Sequence, residues 1–238
     1  MPLMSYDEVL DLMVKEMHDL DGVLSRHLDR MEKTDSIGCR SCKSPDPGCC
    51  YQKVMVYVDE VLPIARLLKQ QGRDTPEFRE RLRVTGEEME GTNNDDWFHR
   101  DRRPCVFLSE GRCSIYDVRP HACRSYYVVN EPHLCQPGET AGVWKVDTMR
   151  IAELFTDRSR TVQHALGLPS STKRLYLGSL PRLVLLALIA QEQPSHERFL
   201  RVFKRETRWP TFEQLDNWFG GRNPFGDKLY RIRKKTAQ

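Results

Sequence analysis

The chain has no cysteine after residue 135, no apolar run longer than a few residues and almost no excess of charge of either sign. Each absence excludes something. The most apolar stretch, Leu183 to Ala190 bounded by Arg182, is far short of the roughly 20 residues that span a bilayer, and reads as a buried helix. A formal net charge of +3 gives no electrostatic case for binding nucleic acid. The opening Met-Pro-Leu-Met-Ser-Tyr-Asp-Glu places acid where a secretion signal needs base, with no apolar core after it, so a cytoplasmic location with reduced thiols is expected. No internal repeat, low-complexity tract, Ser/His/Asp arrangement, P-loop or paired-carboxylate motif stands out. The ending Arg231-Ile-Arg-Lys-Lys is read as a solvated tail.

Against that background the 238 residues, with 39% hydrophobic and 30% charged, have the composition of a folded domain with material for a core. The spacing of Tyr6, Val9, Leu10, Met13, Met17, Leu20, Leu24 and Leu28 predicts an amphipathic helix over 5–33, with Ser5 and Glu8 as a capping box. Thr75-Pro76 has the form of an N-cap followed by proline, opening a helix toward Glu90. Val54 to Val58 is either a strand or the lead-in to a helix over 59–71. Further helices are expected over 146–166, 180–193, 195–207 and 211–219, and short extended pieces with turns over 104–130. Leu183, Leu186, Leu188 and Ile189 are assigned to the core, and Asp95-Asp96 beside Trp97 and His99 to a solvated loop. The expected fold is mostly α, a helical protein around a loop-rich, cysteine-coordinated metal centre with minor short strands. Its parts are an N-terminal amphipathic helix (1–35), a cysteine-cluster metal-binding region (36–136) and a helical C-terminal region packed on it (137–238).

What the chain does have is eight cysteines crowded into its middle: Cys39, Cys42, Cys49, Cys50, Cys105, Cys113, Cys123 and Cys135. Cysteine as a small buried hydrophobe accounts for one or two such positions but not for four in the Gly/Pro-rich stretch CRSCKSPDPGCC. In a reducing compartment metal is the stronger explanation than disulfides. The two-residue gap of Cys39 and Cys42 lets one turn present two sulfurs to one ion. It serves zinc and iron–sulfur clusters alike, so spacing does not choose between them.

Cys49 and Cys50, if extended, point to opposite sides and serve two sites, or one metal and one core position. A local turn would instead bring both to one centre. Cys105 and Cys113 flank a turn at Gly111 that is able to bring their sulfurs together. Arg112, Arg119 and Arg124 either offset thiolate charge or pair with Glu110 and Asp117 at the surface. His121 and His133 are possible replacement ligands, read as non-ligands, and Tyr126, Tyr127 and Phe107 are assigned to packing around the centre.

The run Cys39-x-x-Cys42, Cys49-Cys50 and PCVFLSEGRCSIYDVRPHACRSY resembles the YkgJ-type cysteine-cluster proteins, the C-x-x-C-x-x-C-C group of zinc- or iron-chelating domains. The resemblance covers about residues 36 to 136. It implies Cys39, Cys42, Cys49, Cys50, Cys105, Cys113 and Cys123 as the metal-binding set, with Cys135 the eighth. The gap between Cys42 and Cys49 is longer here, and Val106 stands where proline is frequent. The function expected is a metal-binding protein holding an iron–sulfur cluster, slightly preferred, or zinc, with redox activity an open question. The alternatives are a cluster-dependent oxidoreductase or protein-modifying methyltransferase, and a zinc-stabilised helical interaction module. No Gly-rich strand-to-helix turn for an adenosylmethionine pocket is found. A protein partner is left open.

Overall fold

The computed structural model describes residues 6–31, 39–40, 48–92, 96–101, 103–128, 149–168 and 176–206. Within them the protein is mostly helical, with three two-stranded ribbons.

Helix α1, Tyr6–Met31, carries the expected stripe: Val9, Leu10, Met13, Met17, Leu20, Leu24 and Leu28 are all buried. Its proposed cap, Ser5, lies outside the described residues. The ambiguous run at 54–58 resolves into both alternatives. Met55–Tyr57 forms a strand and Val58–Gln70 the helix α2, entered through the extended residue Tyr57. Val58 to Ala65 is buried throughout, which makes the start of α2 a central rod rather than an amphipathic one. Helix α3, Pro76–Gly91, begins as expected, with the Phe78 amide donating to Thr75 Oγ1 at 3.2 Å.

The C-terminal half adds α5, Met149–Ala165; α6, Leu180–Ala190; and α7, His196–Glu206. Between α3 and α5 lies the short α4, His121–Arg124. Helix α6 is apolar almost all round and fills the space between α2, α3 and α7. Leu183, Leu186 and Leu188 are buried there, while Ile189 is only partly so. The core joins residues of α1, α2, α3, α5, α6 and α7, including Leu10, Leu62, Leu82, Leu166, Leu188 and Phe203. The expected helix over 211–219 and the basic tail lie outside the described residues.

Two departures from expectation matter for the site. Residues 177–179 form a strand that pairs antiparallel with Met55–Tyr57, Val56 opposite Gly178, and carries the chain straight into α6. Residues Asp96–Asp101 form a wide π-type helical turn, and Trp97 in it is buried. Of the expected solvated loop, Trp97 is thus packed inward, lining a small cavity with Met89, Cys105 and Leu180, while Asp95 lies outside the described residues. Among the described residues no helix is long and apolar enough to cross a membrane.

Candidate metal centre

Apart from α2 and α3, the described residues between Gly48 and Ser125 form short turns and a hairpin laid on the helical core. Gly48–Tyr51 is a single 3₁₀ turn carrying Cys49 and Cys50. At three residues per turn, neighbouring side chains diverge by about a third of a rotation. The two sulfurs are thus directed differently, by a tight turn rather than by the extended backbone considered from the sequence.

The second cysteine segment is fastened to the first through its backbone. The Cys105 N–H donates to the Cys50 carbonyl at 2.7 Å, and the Leu108 N–H closes a turn on the Cys105 carbonyl at 2.9 Å. Leu108–Ser109 and Arg112–Cys113 then form a hairpin, with Leu108 opposite Cys113. Its two-residue turn, Glu110-Gly111, has φ of 50° and 72°. Both values lie in the left-handed region that short hairpin turns require, and only the second position is a glycine. Ser114 N–H returns to the Phe107 carbonyl at 2.8 Å, so Cys113 is brought back beside Cys105 as the spacing around Gly111 suggested.

Cys105 is the most constrained of the sulfurs. Burial pushes its thiol up to about 12, and the neighbouring Cys113 adds to that, while the Phe107 backbone N–H and the charge of Arg81 act in the opposite sense. A backbone N–H donor and a guanidinium thus offset part of the desolvation that holds this sulfur as a thiol in the metal-free protein. The Arg81 Nη2 also donates to the Val106 carbonyl at 2.6 Å, and Arg73 Nη2 donates to Ser114 Oγ at 2.9 Å. Two arginines outside the cysteine motifs thus hold the hairpin.

The arginines inside the motif have different roles from those expected. Arg112 is exposed. Arg119 is buried, stacks its guanidinium 3.7 Å from the Tyr116 ring centroid and donates to the Tyr116 carbonyl at 2.9 Å. Arg124 is buried as well, and pairs with Asp21 of α1 rather than with Glu110 or the Asp117 side chain.

Cys123 lies in α4, between His121 and Arg124. The His121 ring stacks on Phe155 of α5, centroids 4.3 Å apart, and burial lowers its pKa to about 4. Cys39 enters through its backbone: Cys39–Arg40 pairs antiparallel with Tyr127–Val128, Cys39 opposite Val128. That ribbon and the Cys50–Cys105 bond are two independent ties between the cysteine segments. Cys42, Cys135 and His133 lie outside the described residues, as does the Cys39 side chain. Phe107 is buried against Phe78, in keeping with a packing role.

Cys49, Cys50, Cys105, Cys113 and Cys123 are all thiols, none in a disulfide. Among the described residues no three side chains of His, Cys, Asp or Glu converge closely enough to hold an ion. A four-cysteine site built on these thiols would therefore need at least two of Cys39, Cys42 and Cys135. Soft sulfur donors in a half-buried setting, with Arg81 acting on Cys105, fit zinc and iron–sulfur clusters in chemistry.

A pair of buried acids went unread in the sequence. Asp59 and Glu60 in the first turn of α2 are almost wholly excluded from solvent. Ser159 Oγ and Gln163 Nε2 donate to Asp59 at 2.7 and 2.8 Å, and the Tyr57 and His121 amides donate to Glu60 at 2.8 and 2.7 Å. Burial raises Asp59 to about 6 and, together with the charge of Asp59, Glu60 to about 8. The signal was present: Asp-Glu interrupts the run Val-Tyr-Val-Asp-Glu-Val-Leu-Pro-Ile, at the first helical turn where acids also favour the helix dipole.

Residues 38–142 match the CxxCxxCC family, described as "Putative zinc- or iron-chelating domain". That stretch is similar to the cysteine-cluster chelating domains of this family. Its limits run slightly beyond the 36–136 read from the motifs at the C-terminal side and begin two residues later. No curated protein matches the chain. No solved structure matches it.

Proposed function

We propose that the chain binds metal through the thiolates of its two cysteine segments, with an iron–sulfur cluster as the first assignment and zinc as the second. The observation that supports this reading is the backbone hydrogen bond from Cys105 to Cys50, which ties the two cysteine segments together. The residues that would hold the metal are Cys39, Cys42, Cys49, Cys50, Cys105, Cys113, Cys123 and Cys135. Bound there, a cluster would supply one-electron redox capacity and zinc would supply a closed structural link. The chain's own residues do the positioning. The Phe107 N–H and Arg81 offset part of the burial that disfavours the Cys105 thiolate, the Glu110-Gly111 turn returns the chain carrying Cys113 toward it, and α4 carries Cys123.

Anaerobic purification followed by metal and acid-labile sulfide analysis tests the proposal. A brown protein with broad visible absorption and stoichiometric sulfide supports the cluster, and a colourless protein with stoichiometric zinc supports the second assignment. Protein that purifies without either metal, and takes up neither after reduction, overturns both.

A further inference from the structure

We infer that Asp21, on α1 and outside the family segment 38–142, is a positioning residue for Cys123, acting through Arg124. The inference rests on the metal-binding reading above and assigns part of that site to the N-terminal helix.

Helix α4 is a single turn of four residues, His121–Arg124, far too short to be stable by itself. Its orientation, and with it the direction of Cys123, is set by the bonds at its two ends. At the start, the His121 N–H is held by Glu60 Oε1 at 2.7 Å. At the end, Arg124 spreads its guanidinium over three acceptors: Nε to the Arg119 carbonyl at 2.7 Å, Nη2 to the Asp117 carbonyl and Nη1 to Asp21 Oδ2.

The Arg124 side chain is 5% exposed and that of Asp21 is 40% exposed. Removing the carboxylate therefore leaves a desolvated cation supported by carbonyl oxygens alone, an arrangement that favours its escape to water. If Arg124 leaves, the Asp117 and Arg119 carbonyls lose their donor and the turn carrying Cys123 loses its C-terminal anchor. Substitutions at groups that orient metal ligands in this way weaken metal retention by roughly 10- to 100-fold.

The test uses the full chain, reduced and metal-free, titrated with Zn²⁺ against a competing chelator and with Co²⁺ to read sulfur-to-metal charge transfer. Four proteins are compared: wild type, Asp21→Asn, Arg124→Lys and Asp11→Asn. Asp11 makes another ion pair from α1, to Arg66 of α2 at 3.4 Å, and is well exposed, so its variant reports on general weakening of α1 docking. The expected result is a loss of Zn²⁺ affinity of about tenfold or more in Asp21→Asn and Arg124→Lys, with an altered Co²⁺ spectrum. Asp11→Asn should match wild type in both. Arg124→Lys keeps a cation for Asp21 but lacks the fork that reaches two carbonyls, and it carries the test if Asp21→Asn does not fold.

Asp21→Asn binding Zn²⁺ as wild type does, or Asp11→Asn losing as much as Asp21→Asn, overturns the inference and leaves the metal-binding reading standing. Wild type that binds neither ion overturns the metal-binding reading, and the inference with it.

Discussion

The Cys105 backbone N–H donates to the Cys50 carbonyl at 2.7 Å, joining the two cysteine segments without involving either sulfur. Because the link is main-chain, exchanging a sulfur leaves it in place. Cys105→Ser should therefore separate ligation from folding. In metal-free protein it should cost only about 1 kcal/mol, since the Phe107 N–H still finds an acceptor in the hydroxyl. In metal-loaded protein it should remove most of the extra thermal stability that the metal confers, because binding energy at a thiolate site adds to folding energy. Differential scanning calorimetry with and without chelator reads both quantities. An equal shift in the two states would show that Cys105 is core packing and not a ligand.

The buried acids of α2 make a pH prediction. Asp59 is raised to about 6 and Glu60 to about 8, burial being the main cause for both. The folded chain thus holds protons that the unfolded chain, with carboxylates near 4, has released. The stabilisation is complete below about pH 4 and is lost as pH rises through the two folded values, which places the decline between about 4 and 8. Asp59→Asn keeps the geometry, because its oxygen accepts from Gln163 and its amide donates to the Ser159 hydroxyl. It should flatten that decline and leave the variant more stable than wild type at pH 8 by on the order of 2–3 kcal/mol. Removing the Asp59 charge also makes Glu60 easier to ionise, while Arg124 acts on Glu60 in the same sense. Urea unfolding of metal-free protein at pH 5, 6.5 and 8 checks it. Parallel pH profiles for the two proteins would show that Asp59 is ionised in the fold at little cost.

Much of the fold was legible where a single element carries its own signal. The three-and-four spacing in α1 and the Thr75-Pro76 start of α3 need no tertiary partner to be read. The crowding of cysteines gave the candidate site in the same way, since each residue type reports its own chemistry. What was not legible depends on partners distant in sequence. Leu177-Gly-Ser179 has no strand signature of its own and is extended because Met55–Tyr57 offers it a ladder. Arg81 and Asp21 look like ordinary helix-surface charges until α3 and α1 are placed against the hairpin and α4. Asp59 and Glu60 stand in a first helical turn, where acids are ordinary, and only the approach of Ser159, Gln163 and His121 makes them interior groups.

The N-cap of α3 offers a local test. Thr75 has extended backbone angles and accepts from the Phe78 amide, and Pro76 follows at the first helical position. Thr75→Ala removes that acceptor and should lower stability by about 1 kcal/mol, whereas Thr75→Asp should hold it near wild type. Because α3 supplies Arg81 to the Val106 carbonyl, fraying at its start is expected to leave metal affinity unchanged, Arg81 lying beyond the first turn. Chemical denaturation of the three proteins decides it. Alanine and aspartate variants of equal stability would mean that the 3.2 Å contact has no capping role.

Gly178 sits at a close-packed junction between the ribbon and α6. It lies opposite Val56 in the ribbon, and a Cβ placed on it would come within 3.0 Å of both Cγ and Cδ2 of Leu183, a side chain that is itself buried in α6. The junction has little room to relax, since the Leu180 N–H is bonded to the Val54 carbonyl at 2.9 Å and holds the start of α6 against the strand. Gly178→Ala should stiffen the unfolded chain, a gain of about 0.4–1 kcal/mol. Overpacking against Leu183 should cost more, about 1–3 kcal/mol, so the net effect is destabilising. Leu183→Ala alone should cost about 2–5 kcal/mol through the cavity it leaves. With Leu183 truncated, the added methyl at 178 has space to occupy, so the double variant should be more stable than the sum of the single effects, by about 1 kcal/mol or more. A double-mutant cycle in guanidinium measures this coupling. Strict additivity would mean that Leu183 already moves freely away from Gly178, and that the strand-to-helix corner is looser than the 3.0 Å approach requires.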